Sequence, residues 1–273
     1  MTQDEIKNKP IGIFDSGVGG LTVAAEIMRH LPQENIVYFG DVGRAPYGGR
    51  SKEIITKFTR QDISFLMEHK VKYIVAACNS ASAVALETVR GEFDIDILGV
   101  IEPGAEAAVK YTRNGRIGII GTVATIGSDS YARAIQARNT AVKVFSLACP
   151  LFVPLTEEGY IEKEATYLIA QDYLKTLTDV DIDTLVLGCT HYPLLKKVIG
   201  KVVGEQVRLV DSAEETARTV AEALAEKKLL RASAGEATVK FYVSDVPDRF
   251  SQVVKQFLGR SINNITRVDI TRY

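Results

Sequence analysis

The stretch Pro10–Gly17, PIGIFDSG, is met again as Arg116–Val123, RIGIIGTV, and this partial repetition decides the fold. Each is an apolar run that turns polar or small at its end and precedes a helical pattern. The order holds outward from that pair. Ile36–Phe39 falls on Val142–Phe145, and Ala45–Pro46 on Cys149–Pro150. VKYIVAACNSAS from Val71 falls on DIDTLVLGCTHYP from Asp181, with Cys78 against Cys189. Similarity this loose also arises between unrelated βαβ units; the paired cysteines favour duplication.

The remaining pattern agrees. Short β-rich runs stand at Ile11–Phe14, Ile36–Phe39, Tyr73–Ala77, Ile97–Val100, Ile117–Ile120, Val142–Leu147, Leu185–Leu187 and Val207–Val210. They alternate with amphipathic segments such as Lys52–His69 and Glu214–Glu226, the latter with a capping box at Ser212 and Glu215. Such alternation predicts α/β architecture: two pseudo-symmetric doubly wound parallel-sheet domains facing each other across an active-site cleft. Ligands of these sheets sit beyond the carboxyl ends of the strands, so Cys78 and Cys189 are expected to face each other there. After Val210 come a helix, a strand at Val239–Val243, a helix at Asp248–Leu258 and a β-like stretch at Ile265–Ile270, without counterparts in the repeat. This tail is expected to complete the first domain, giving 1–98 plus 213–273 and an inserted 99–212.

Bulk properties narrow the function. The 273 residues suit two domains, and a net charge of −1 supplies no field to attract nucleic acid or an anionic membrane. The polar N-terminus has no apolar leader core and no long apolar run follows, so a cytoplasmic location is expected. Three cysteines without framework spacing predict free thiols in a reducing compartment. His30, His69 and His191 are far apart and no CxxC or HExxH occurs, so no metal is expected.

Four segments carry candidate chemistry. Asp15-Ser16-Gly17-Val18-Gly19-Gly20 follows a strand and opens a helix, so its N–H groups could hold an anion. Its GxGG spacing is not a dinucleotide fingerprint, although Asp41 sits near the distance of a ribose-binding acid. Asp15 reads equally as a helix N-cap. Gly40–Arg50 is a glycine-rich loop able to fold over a small ligand, or a plain surface turn. Ala77-Cys78-Asn79-Ser80 and Gly188-Cys189-Thr190-His191 each put a thiol and hydrogen-bonding side chains after a strand. One such cysteine is ordinarily an inert small hydrophobe. Two in equivalent places, each expected at a helix N-terminus that lowers its pKa, suit a reaction symmetric in its two faces. Racemisation is such a reaction: one base removes a proton from one face of a carbon and its twin delivers one to the other.

DSGVGGLTV, the GD-and-RAPYG loop, ACNSAS and GCTHYP, in that order and spacing, resemble the hallmark pattern of the glutamate racemases within the aspartate/glutamate racemase superfamily. The likeness runs from Ile11 to about Asp211, and FYVSDVPDRF resembles that family's C-terminal segment. The resemblance implies that Cys78 acts on D-glutamate and Cys189 on the L-isomer, with Asp15, His191 and Glu157 as catalytic support. It implies substrate contacts from Asp15, Ser16, Pro46, Tyr47, Gly48, Asn79, Ser80, Thr190 and His191, with Thr122 as the repeat counterpart of Ser16. It also implies no cofactor and no metal, a homodimer, and supply of D-glutamate for peptidoglycan. Three rivals remain: a racemase or decarboxylase of another acid, a thiol hydrolase using Cys189 and His191, and a non-catalytic binding protein of two lobes. The hydrolase suffers because residues two apart rarely reach bonding geometry and Cys78 would have no role.

Overall fold

The computed structural model describes residues 2–232, 235–246, 250–262 and 264–273. Ten strands form in chain order: β1 Ile11–Asp15, β2 Ile36–Gly40, β3 Tyr73–Ala76, β4 Ile97–Gly99, β5 Arg116–Gly121, β6 Lys143–Ala148, β7 Thr184–Gly188, β8 Arg208–Asp211, β9 Val239–Val243 and β10 Ile265–Arg267. They build two parallel sheets, ordered β10-β9-β2-β1-β3-β4 and β6-β5-β7-β8. The order β2-β1-β3-β4 is that of β6-β5-β7-β8, so the repetition read at Pro10 and Arg116 is a repetition of topology. The C-terminal strands extend the first sheet, β9 pairing with β2 from Ile36↔Val239 to Gly40↔Val243.

Strands β1, β2, β3 and β7 are buried throughout, because helices cover both faces of each sheet. Alternate side chains feed opposite layers. Ile13, Tyr38 and Val75 pack with the helices Leu21–His30 and Ser212–Glu226, while Phe14, Phe39 and Ile74 pack with the helix Lys52–Glu68. In the second sheet Leu185 and Leu187 meet the helices Glu164–Thr178 and Lys196–Val203; Ile117, Ile119 and Val186 meet Ile101–Tyr111 and Ser130–Arg138. At the amino ends of the first sheet, Lys72 Nζ is buried 2.5 Å from Glu34 and donates to the carbonyls of Lys7 and Leu229.

Three readings of the tail change. The helix expected from Glu214 begins at Ser212, and its cap is the Asp211 carboxylate, which accepts from Ala213 N–H at 2.8 Å; Ser212 is inside the helix, so no Ser212–Glu215 box forms. The helix read at Asp248–Leu258 runs from Phe250, with Pro247, Asp248 and Arg249 of the FYVSDVPDRF segment outside the described residues. The last β-like stretch is a three-residue strand followed by a 3₁₀ turn at Ile270–Arg272. Among the described residues no helix is long and apolar enough to cross a membrane.

Candidate active site

Asp15 ends a strand, Asp41, Thr122, Cys149 and Cys189 follow directly on strands, and Cys78 follows one residue after β3, all at the carboxyl edges of the two sheets. In the first sheet, Asp15 does not cap the next helix, whose N-cap is Gly20 without a side-chain bond. Its Oδ2 accepts from Gly17 N–H at 2.9 Å, while Oδ1 is buried with no hydrogen-bond partner among the described residues. Burial pushes the Asp15 carboxyl above the usual range, and His191 with the N–H groups of Gly20, Gly17 and Ser16 draws it part of the way back.

Cys78 caps the helix Asn79–Val84, its sulfur accepting from Ala81 N–H at 3.4 Å and donating to Ser16 Oγ at 3.3 Å. The helix does not bring this thiol below its ordinary value. Burial, then the neighbouring Asp15 carboxylate, pushes it up to about 12, against the smaller opposing effects of Ser16 and Ala81. A buried six-residue helix returns less than desolvation of a thiolate removes.

The second cysteine has a different neighbour. Cys189 Sγ lies 3.9 Å from His191 Nδ1, closer than the two-residue spacing led one to expect, and His191 Nε2 lies 2.9 Å from Glu157 Oε1. Burial presses the His191 pKa down, but the bonds and charges of Cys189 and Glu157 outweigh it and hold it at about 10. Glu157 is 42% exposed, so its share is partly screened. The edge of Phe257 meets the imidazole, ring centroids 5.0 Å apart. Behind the turn, Tyr192 donates to the carbonyl of Cys149 at 2.8 Å. Cys149 is buried beside Phe152 and Tyr192, its thiol pushed to about 12 by burial and by Cys189, so it packs in the core rather than lining a loop.

Loops from the two sheets meet directly. Ser80 Oγ and Thr122 Oγ1 share a hydrogen bond of 2.8 Å, and Thr22 Oγ1 donates to Thr190 O at 3.1 Å. Tyr131 OH donates to Asn79 Oδ1 at 2.8 Å, and Ala124 N–H to Gly48 O at 2.9 Å. A Cβ on Gly19 would collide with Thr190 Oγ1 and the His191 ring, so only glycine lets these loops approach. The structure thus gathers Asp15, Ser16, Gly48, Cys78, Asn79, Ser80, Thr122, Glu157, Cys189, Thr190 and His191. Pro46 follows a cis peptide bond in the loop next to Gly48.

Tyr47 turns its side chain into the core. Its side chain is fully buried in the first core, its hydroxyl 2.5 Å from Asp41 Oδ2 and 2.9 Å from Asp62 Oδ2, so only its backbone is left for a ligand. Arg44 binds both carboxylates, at 2.6 Å to Asp41 and 3.2 Å to Asp62. Burial and Asp41 push the Asp62 carboxyl well above its usual range, opposed by Arg44 and Tyr47. Asp62, Thr22 and Tyr131 escaped the sequence reading. Asp62 carries a signal: it lies among Ile55, Thr59, Ile63 and Leu66 on the apolar face of its helix, where a carboxylate needs partners. Among the described residues no three His, Cys, Asp or Glu side chains are grouped to hold a metal ion.

Residues 29–220 match the model of the Asp/Glu/Hydantoin racemase family. The chain belongs to that family. This racemase-family enzyme is 52% identical to a glutamate racemase of Geobacter metallireducens over 96% of its own length and 97% of the relative's. Its fold superposes on the crystal structure of glutamate racemase isoform RacE1 from Bacillus anthracis with a TM-score of 0.93 and 42% identity, covering 96% of this chain and 98% of that one. It also superposes on glutamate racemase from Francisella tularensis in complex with D-glutamate, with a TM-score of 0.92 and 38% identity, covering 98% of this chain and all of the other.

Proposed function

We propose that this enzyme interconverts L- and D-glutamate without a cofactor by two-base proton transfer between Cys78 and Cys189. One observation carries the reading: two thiols follow topologically equivalent strands, and the loops that bear them touch through Ser80–Thr122 and Thr22–Thr190. Their environments differ as the chemistry requires: burial holds Cys78 as a thiol, whereas Cys189 Sγ stands 3.9 Å from the ring of His191, which its neighbours hold protonated.

With L-glutamate bound, the Cys189 thiolate takes the α-proton and the Cys78 thiol delivers its own to the opposite face, leaving D-glutamate, a Cys189 thiol and a Cys78 thiolate. From D-glutamate each transfer reverses. His191, oriented by Glu157, supports Cys189, and Asp15 supports Cys78. The buried Asn79 Nδ2, which has no partner among the described residues, is a ready donor to a substrate carboxylate. Asp15 Oδ1, equally unpartnered, is a ready acceptor for the ammonium group. Ser16, Ser80, Thr122, Thr190 and the backbone of Pro46, Tyr47 and Gly48 complete the binding set.

The finer context rests on the family resemblance: D-glutamate for peptidoglycan, a homodimer, and a cytoplasmic location, the last also supported by three free buried cysteines. The division into 1–98 plus 213–273 and 99–212 draws support from β9 and β10 joining the first sheet. The deciding experiment follows optical rotation and α-deuterium uptake with each enantiomer in deuterated buffer. Racemisation with uptake from both sides is expected. The Cys189–His191 pair alone would also suit a thiol hydrolase, and an enzyme inert to both enantiomers would return attention to it.

A further inference from the structure

Tyr131, from the helix Ser130–Arg138, lies outside every motif, yet it touches both cysteine turns. Its ring is buried in a slot built from glycine. A Cβ on Gly104, in the helix Ile101–Tyr111, would stand 3.1 Å from ring Cε1 and 3.2 Å from the hydroxyl; one on Gly188, directly before Cys189, would stand 3.1 Å from Cε2. All three distances are tighter than ordinary packing, so a larger residue at Gly104 would press on the ring, while one at Gly188 would meet the Ile120 carbonyl first, at 2.7 Å, and then the ring. From this slot the hydroxyl crosses to the other sheet and donates to Oδ1 of Asn79, directly after Cys78, at 2.8 Å. The same carboxamide keeps a buried Nδ2 without a partner among the described residues. Buried donors are seldom left so unless a ligand completes them.

We propose that Tyr131 is a positioning residue: wedged between Gly104 and Gly188, it occupies the Asn79 carboxamide oxygen and so turns Nδ2 toward a substrate carboxylate. The assignment rests on the glutamate reading, because it requires a substrate that carries a carboxylate there. The Tyr131 hydroxyl also has Ser212 as a hydrogen-bonding neighbour, and the proposed role differs from a purely structural one in reaching the substrate through Asn79. Without the tyrosine hydroxyl the amide can rotate and offer its oxygen, which repels a carboxylate, instead of its nitrogen.

The test is steady-state racemisation of both glutamate enantiomers by wild type, Tyr131→Phe, Gly104→Ala, Asn79→Ala and the Asn79→Ala/Tyr131→Phe double variant, with thermal melts of each. Tyr131→Phe is expected to raise KM about ten-fold for both enantiomers while kcat changes less than about two-fold, the loss of one neutral hydrogen bond. Gly104→Ala, which displaces the ring by a few tenths of an ångström, is expected to raise KM about three-fold without lowering the melting temperature, since alanine is the better helix former. In the Asn79→Ala background Tyr131→Phe should have no further effect on KM. An equal KM penalty in both backgrounds, or an effect confined to melting temperature, overturns the inference while leaving the glutamate reading intact. A wild-type enzyme that racemises neither enantiomer overturns that reading first and the inference with it.

Discussion

The turns at Cys78 and Cys189 close equivalent strands but are supported by opposite means. Behind Cys78 stands a polar frame: Ser16 and Asp15 beside the sulfur, and in the neighbouring loop Tyr47 and Arg44 clamped between the buried Asp41 and Asp62. Behind Cys189 stand rings: Phe152 meets Tyr192 and Tyr173 edge-on at 5.3 Å each, and Phe257 backs His191. Topology was repeated and electrostatics were not. For the proposed two-base mechanism this difference matters, because a pair of bases sharing one mobile proton works from a defined state only if its surroundings hold the two sites apart.

Removing either thiol is the harshest way to break this comparison. Cys78→Ala and Cys189→Ala should each lower racemisation about a thousand-fold. They should fail differently: Cys78→Ala still exchanges the α-proton of L-glutamate with deuterium through Cys189, and Cys189→Ala that of D-glutamate through Cys78. Proton NMR of each enantiomer in deuterated buffer reads this directly, and exchange of the wrong enantiomer would reverse the assignment of faces.

The polar frame can be broken without touching a thiol. Arg44→Met leaves Asp41 and Asp62 buried together without their cation and should cost about 3–5 kcal/mol in urea unfolding, whereas Asp62→Asn should cost far less. Equal losses would mean that Arg44 does not hold the frame.

The pH response sharpens the other side. His191 is raised from 6.5 to about 10, so the stability its charged form contributes is fully present below about 6.5 and is lost as pH rises through 10. The L-to-D rate should therefore fall on an alkaline limb near pH 10. Glu157→Gln removes one group that raises His191; it should move that limb to lower pH and slow the L-to-D direction about ten-fold, with less effect from D-glutamate. An unmoved limb would detach Glu157 from His191. The smallest effect concerns the bridge between the halves: Ser80→Ala, losing the bond to Thr122, should cost about 1 kcal/mol by thermal melt.

Much of this was legible because it is local. Apolar runs such as Tyr73–Ala76 must be buried on both faces, and a cysteine after two such runs betrays the repeat. The C-terminal strand at Val239–Val243 was equally plain from its residues. What escaped is decided between segments. Nothing near Tyr131 in the chain reveals that Gly104 and Gly188 make room for it, and nothing near Tyr47 reveals that Asp62 takes its hydroxyl. The rise of the Cys78 pKa is of the same kind: its helix was foreseeable, but the depth of burial that outweighs it depends on how the layers close.

The pairing of β2 with β9 has a consequence for synthesis. Val37 and Phe39 emerge from the ribosome some two hundred residues before Lys240 and Tyr242, the partners with which they align. Until then the edge of β2 is an open row of amide and carbonyl groups on a flat apolar strand, the kind of surface on which nascent chains aggregate. The β5–β8 sheet waits for nothing beyond Asp211 and is free to form while the first is still incomplete. A chain stopped before Val239 would therefore carry a complete second sheet and both cysteines, yet leave exposed the strand that leads into the Asp41 loop.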